Sequence, residues 1–349
     1  MKRLLYIIAI IFLISCKKEN NEFLKTTVDE TAITNSGIGD PYEWQQRPVP
    51  IMNGDPNNDP TDGNKIITVN GDVYCLMGGA LLTTYKLNNN TKLWEKYIDN
   101  SPGNAVFAGY GAGMQYIWSY GSKIYGGLGT GAYDFDRHIA GKDPITYDRV
   151  DIPQFPGTPV SEATTFVIGY KGYILGGKNI NNYLVNQAWE YNFVTHQWTN
   201  RGNSPLGSRA GAIALVADGK AYIGLGYGEI ILNNTHIQQY KNDWVQYNPT
   251  SASIIKANFP GSKRTSAKGF VLSGNPFVGF GRNASNTFKD FWKYDPSSDT
   301  WTEQQLWPGA INSNYGNNIA LFSQGNSGYL VKGSLGQFWR FSNSPVIIF

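Results

Sequence analysis

Cysteine, histidine and charge are all scarce in this chain. Two cysteines, Cys16 and Cys75, in 349 residues allow at most one internal disulfide and exclude a disulfide-stapled scaffold. The three histidines, His138, His196 and His236, lie far apart. No pair of them has metal-ligand spacing, so each reads as a surface or turn residue. Charged residues make up 16% of the chain and the formal net charge is +3. Nucleic-acid binding requires clustered charge to neutralise phosphates, and a surface this close to neutral does not supply it. The apolar run from Leu4 to Ile14 is too short for a comfortable membrane span. Glycine, by contrast, is abundant at 40 residues, and aromatics reach 14%. That mixture belongs to turn-rich all-β proteins, in which glycine makes tight turns and aromatics pack between sheets.

The N-terminus reads as an address. Met1-Lys2-Arg3 is a short basic start, the run to Ile14 is apolar, and Leu13-Ile14-Ser15-Cys16 ends it. Leu-x-Ser-Cys resembles the bacterial lipobox, whose cysteine is diacylated and becomes the new N-terminus. The resemblance implies a lipoprotein signal peptide over residues 1–15. It implies a lipidated Cys16 and a flexible tether over 16–40, and a membrane-held domain over 41–349. Lys17-Lys18-Glu19-Asn20-Asn21-Glu22 resembles the export signals of Bacteroidota lipoproteins, although Asn20 and Asn21 interrupt its acidic part. The expected location is the outer membrane of a bacterium, facing either the periplasm or the medium. The 29 Lys and Arg, less Lys2 and Arg3, leave 27 basic against 26 acidic residues in the mature chain. Cys75 is then alone, in the apolar stretch Val73-Tyr74-Cys75-Leu76, and reads as a small buried hydrophobe.

The rest of the chain repeats. Glycine pairs or Gly-x-Gly follow an apolar strand at Gly78, Gly126, Gly176, Gly224 and Gly279, with a weaker copy at Gly333. The spacings are 48, 50, 48, 55 and 54 residues. Tyr74, Tyr125, Tyr173, Tyr222, Phe277 and Tyr329 stand just upstream. Downstream comes an aromatic strand, a polar turn and a closing strand, clearest in Trp292-Lys293-Tyr294-Asp295-Pro296 to Trp301. The copy from Tyr133 to Ile152 is degenerate. A unit of this length with short strands cannot bury a face alone and must stack on its neighbours. The pattern resembles the kelch repeat, over about residues 64–349. The resemblance implies an all-β, six-bladed kelch-type β-propeller of four-stranded antiparallel blades. The Tyr and Trp residues are expected in the seams between blades. Ring closure has two candidate strands, the segment around Trp44 and the tail Val346–Phe349, with the first preferred because it would cover an open sheet edge.

Candidate chemistry is sparse. Arg209 and Arg264 each lie 13 residues before the seam aromatic of their repeat, Tyr222 and Phe277. In kelch propellers the innermost strand starts beside the mouth of the central channel. The arginines are thus expected on adjacent blades at one opening, where paired guanidiniums suit a carboxylate. The alternative pairs each Arg with a nearby loop acid or carbonyl. Glu162, one blade away, is a candidate ligand contact or acid/base group, and Tyr110 and Tyr315 join the same ring. Tyr116, Trp118, Tyr227 and Trp307 are further aromatics for a binding face or for the core. Asp55, Asn57 and Asp59 match the first three ligand positions of an EF-hand loop, and Asp62 adds a carboxylate. Pro60 and Ile66 break that pattern, so the loop reads as a solvated turn with calcium as the alternative.

No cofactor other than that calcium is expected. Copper-oxidase kelch enzymes resembling galactose oxidase need Tyr, His and a Cys-linked Tyr, and Cys75 alone cannot complete that set. The expected function is a membrane-anchored module that binds a glycan or protein at the propeller mouth. The alternative is a sugar-processing enzyme similar to N-acetylneuraminate epimerase, a mutarotase acting on an acidic sugar.

Overall fold

Each repeat folds into a four-stranded antiparallel sheet, and six such sheets form a β-propeller. The computed structural model describes residues 42–47, 65–76, 84–90, 94–98, 115–128, 137–146, 148–233, 235–310, 319–332 and 337–343. The chain divides into a unit up to Gly37 and a unit from Ile38 to Phe349, and every described residue lies in the second.

Blade one is β2 (Lys65–Val69), β3 (Asp72–Leu76), β4 (Thr84–Leu87) and β5 (Trp94–Ile98). Blade two is β6 (Gln115–Tyr120), β7 (Lys123–Gly127), β8 (Ile139–Lys142) and β9 (Arg149–Asp151). Blade three is β10 (Thr164–Ile168), β11 (Lys171–Leu175), β12 (Ala188–Asn192) and β13 (Gln197–Gly202). Blade four is β14 (Ile213–Ala217), β15 (Lys220–Gly224), β18 (Trp244–Tyr247) and β19 (Ile254–Lys256). A separate two-stranded hairpin, β16 (Tyr227–Leu232) and β17 (Thr235–Tyr240), is inserted after its second strand. Blade five is β20 (Lys268–Leu272), β21 (Asn275–Gly279), β22 (Phe291–Asp295) and β23 (Thr300–Glu303). Blade six takes β24 (Ala320–Gln324), β25 (Ser327–Lys332) and β26 (Gln337–Ser342), and its fourth strand is β1 (Glu43–Arg47).

Local sequence explains the tight turns. Asp218-Gly219 and Ser273-Gly274 join the first two strands of blades four and five with φ of 49° and 72°, and 48° and 75°. Positive φ at both central residues matches the right-handed twist of the flanking strands. The innermost strands then touch in the order β2, β6, β10, β14, β20, β24 and back to β2, which closes the ring. β1 lies antiparallel to β26 with Trp44 opposite Phe341.

The core is distributed along the seams. Trp118 of blade two stacks on Tyr191 of blade three, with centroids 5.9 Å apart. Tyr173 of blade three meets Tyr247 of blade four edge-on at 5.3 Å. Trp244 of blade four meets Trp301 of blade five at 5.4 Å. Trp44 packs on Phe291 of blade five at 5.2 Å and on Phe341 of its own blade at 4.8 Å. Cys75 is buried in the cluster between blades one and six. Flat rings suit these seams because they fill a thin gap between two sheets with large apolar area.

Candidate functional site

The site is built on one repeated backbone step. Glu162, Gly211 and Ser266 each stand eleven residues before the seam aromatics Tyr173, Tyr222 and Phe277. All three are left-handed, with φ of 55°, 63° and 56°. The Gly211 amide donates to the Glu162 carbonyl at 3.0 Å, and the Ser266 amide donates to the Gly211 carbonyl at 3.1 Å. Three blades are thus stitched together around the axis by main chain alone. Isolated antiparallel bridges then join Ser161 to Lys178, Ala210 to Tyr227, and Thr265 to Arg282. Lys178, Tyr227 and Arg282 therefore occupy one position in three successive blades. The backbone holds constant while the side chains differ, which is how a repeat protein makes an asymmetric site.

These positions open on a cavity of about 580 Å³ whose lining includes Glu162, Lys178, Tyr227, Lys268 and Arg282, with Gln238 and Tyr240 from the β16–β17 hairpin. Among the described residues its lining carries three cations against one carboxylate. Lys178 Nζ reaches Glu162 Oε1 at 2.8 Å. Tyr227 Oη donates to Glu162 Oε2 at 3.1 Å. Burial, and then the neighbouring Glu162 charge, push the Tyr227 phenol well above its usual range, so it stays protonated and keeps donating. Arg282 is exposed, and no carboxylate among the described residues pairs with it. The arrangement offers a fixed anion–cation pair, a phenol and one available guanidinium. Such a set binds polar, anionic molecules.

Arg209 and Arg264 do repeat one another on adjacent blades, but neither lines this cavity. Arg264 is fully buried. Its guanidinium grips Asp290 at 2.6 and 2.8 Å and the Phe280 carbonyl at 2.9 Å, and it lies over the Phe288 ring at 4.1 Å. Arg209 does the same with Asp243, at 2.8 and 2.9 Å, and with the Leu225 carbonyl at 2.7 Å. Leu225 and Phe280 are themselves left-handed, with φ of 59° and 56°. Each arginine therefore braces a strained turn and ties it to the start of the third strand. Glu162 is offset from this position by two residues: the blade-three counterpart of Arg209 is Val160, which is buried. The counterpart of Asp243 and Asp290 there is Gln187. Where the arginine is missing its acid is missing too, a covariation within the chain that marks the pair as construction.

Comparison with known proteins agrees with the fold. The chain is 25% identical over 217 residues to the N-acetylneuraminate epimerase of Escherichia coli O9:H4 (strain HS), covering 60% of this chain and 50% of that protein. It is similar at the same identity and over the same length to the N-acetylneuraminate epimerase of Escherichia coli (strain K12). The chain spans about half the length of the curated relatives it matches. The solved structure of YjhT superposes with a TM-score of 0.54 at 15% identity, over 70% of this chain and 84% of that one. No family model matches. The chain is a six-bladed propeller that is similar, over part of its length, to proteins named N-acetylneuraminate epimerase.

Other expected site residues fall elsewhere. Tyr110, Tyr315, the oxygen-rich Asp55, Asn57, Asp59 and Asp62, and Cys16 lie outside the described residues. Trp118 and Trp307 are buried in seams rather than displayed on a binding face. His196 sits in a turn, its Nδ1 2.9 Å from Tyr191 Oη. His236 lies on the exposed strand β17 beside Glu229 at 2.8 Å. Lys178, Arg282, Gln238 and Tyr240 were missed by sequence reasoning. The first two stand five residues after a seam aromatic, and the hairpin accounts for the longer 55-residue spacing in the fourth interval.

Proposed function

We propose that the protein is a lipid-anchored carbohydrate-binding propeller of the bacterial cell envelope, with the cavity between blades three, four and five as its site for an anionic sugar. The observation that carries this reading is the cationic excess of that cavity, in which Arg282 is exposed and unpaired among the described residues. A guanidinium in that state suits a carboxylate bidentately. Tyr227 and Tyr240 supply aromatic rings of the kind that pack on sugar C–H faces. Similarity to proteins named N-acetylneuraminate epimerase supports a sugar of that class as the first probe. The anchor rests on Cys16 at the end of the apolar leader. Glu162 takes an orienting role, since its carboxylate is already engaged by Lys178 and Tyr227.

The test is calorimetric titration of the full chain in detergent with N-acetylneuraminate, beside Arg282→Ala. Binding that weakens at least about tenfold in the variant is expected, the size of one lost charge-assisted contact. No binding by the wild type, or equal binding by both proteins, overturns the reading. Anomer exchange followed by NMR in the same samples is expected at the uncatalysed rate. Acceleration that disappears in Glu162→Gln would replace the binding module with an epimerase.

A further inference from the structure

The two faces of the propeller are built differently. Strands within each blade alternate in direction, so their connections fall on two opposite faces. On one face, two-residue turns join the first two strands of every blade, at 70–71, 121–122, 169–170, 218–219, 273–274 and 325–326. Blade six meets blade one there, where Gln324 Nε2 donates to the Gly71 carbonyl at 3.3 Å. The other face carries the longer connections 176–187, 225–243 and 280–290, among them the β16–β17 hairpin. These supply Lys178, Tyr227 and Arg282 to the cavity. Loops with the site stand on one face, and tight turns close the other.

The chain enters the ring at the turn face. β1 places Glu43 opposite Ser342 and Arg47 opposite Phe338. β26 in turn sets Phe341 opposite Gly328, beside the β24–β25 turn. The first residue of β1 therefore lies at the turn face and its last at the cavity face. The entry point is fixed, since Tyr42 is buried, stacks on Phe341 at 5.3 Å and meets Phe277 edge-on at 5.2 Å. Cys16 lies 26 positions earlier, 42 minus 16. A flexible chain of that length spans about 28 Å on average. With the cavity face on the bilayer, that chain would first have to run the height of a blade, about 20 Å for a six-residue strand. A stretched chain has fewer conformations, which disfavours that pose. The hairpin tip does not reverse the preference. Ile230, Ile231 and Leu232 are more than half exposed there, but the hairpin is a separate two-stranded sheet. Its outer N–H and C=O groups would enter hydrocarbon without partners.

Resting on the lipid-anchor part of the reading above, we propose that the turn face is held toward the membrane and that the cavity opens away from it, taking its anionic ligand from the aqueous side rather than from a glycolipid of the anchoring bilayer. The test places the full chain in phosphatidylcholine vesicles whose headgroups carry an energy-transfer acceptor. A donor dye is attached through Thr195→Cys, in the β12–β13 turn on the turn face, or through Thr235→Cys, at the hairpin tip; both positions are exposed, and Cys75 is buried. Thr235 stands farther from the bilayer by the height of a blade and the length of the hairpin, so transfer from Thr195 is expected to exceed transfer from Thr235 by at least about twofold. Equal transfer, or more from Thr235, overturns the orientation, with melting temperature as the control for folding. Calorimetry with N-acetylneuraminate is expected to give the same affinity within about twofold on vesicles and in detergent. A loss of more than about tenfold on vesicles would mean that the bilayer covers the cavity, and it overturns the orientation too. A chain that does not float with the vesicles overturns the anchor and the orientation together. Absence of sugar binding in both settings, with the expected transfer order, overturns the sugar reading alone.

Discussion

Arg209, Arg264 and Arg282 show how one residue type meets two different environments on adjacent blades. A guanidinium that enters a seam meets an aspartate, a carbonyl and an aromatic face, and it becomes part of the frame. Removing the buried member leaves the aspartate without its counter-charge, so Arg264→Ala is expected to lower unfolding stability by about 3–5 kcal/mol. The Asp243 side chain is 38% exposed against 21% for Asp290, so water compensates more, and Arg209→Ala should cost less. Arg282→Ala, at an exposed position, should stay within about 0.5 kcal/mol of wild type. Urea unfolding of the three variants checks this order; an unchanged midpoint for Arg264→Ala would contradict the framework role. Glu190 is a second residue-level test. Burial alone would raise its carboxyl pKa, but hydrogen bonds from Lys171, Arg201 and Tyr173 outweigh burial and hold it below its ordinary value of 4.5. Its contribution is therefore complete above about pH 4.5 and is lost as pH falls through the depressed folded value. Glu190→Gln should flatten the acid side of the melting-temperature profile, and a profile parallel to wild type would refute the assignment.

At the level of elements, β1 is the strand whose loss should matter beyond its length. It covers the outer edge of β26 and brings Trp44, 5% exposed, into a cluster with Phe291 and Phe341. Trp44→Ala is expected to cost about 3–5 kcal/mol, the range for emptying a buried Trp site. Deleting residues 42–47 should go further, because it bares a paired strand edge and invites association between chains. Light scattering after purification measures that directly. A monomer with wild-type melting would show that closure does not depend on β1. The hairpin of blade four has a different character: it extends the cavity wall and belongs to none of the blade sheets.

For the whole molecule, stability is shared among seams rather than held in one core. Each blade packs on its neighbours, and the innermost strands complete the circle. Damage to one seam should therefore weaken the ring as a unit, and calorimetry of Trp244→Ala should show one cooperative transition at lower temperature. Attachment to the membrane is expected to depend on Cys16 alone. Cys16→Ser should move the chain from the membrane to the soluble fraction on cell lysis, and a variant that still pellets with membranes would sink the lipid-anchor proposal.

The period, the blade count and the class of residue that fills the seams can be read from the amino-acid order alone. These depend on local pattern: alternating strands, two-residue turns, and aromatics at a fixed step. It left ring closure open between two segments, and only pairing with β26 selected the one around Trp44. It also made Arg209 and Arg264 look like a ligand ring, because spacing along a chain reports which position is repeated and not which way the side chain turns. Tertiary structure turned them into the seams against Asp243 and Asp290, and brought Lys178, Tyr227 and Arg282 to one opening. Distances between residues from three blades do not exist until the ring closes, so the cavity could be read only from the folded chain.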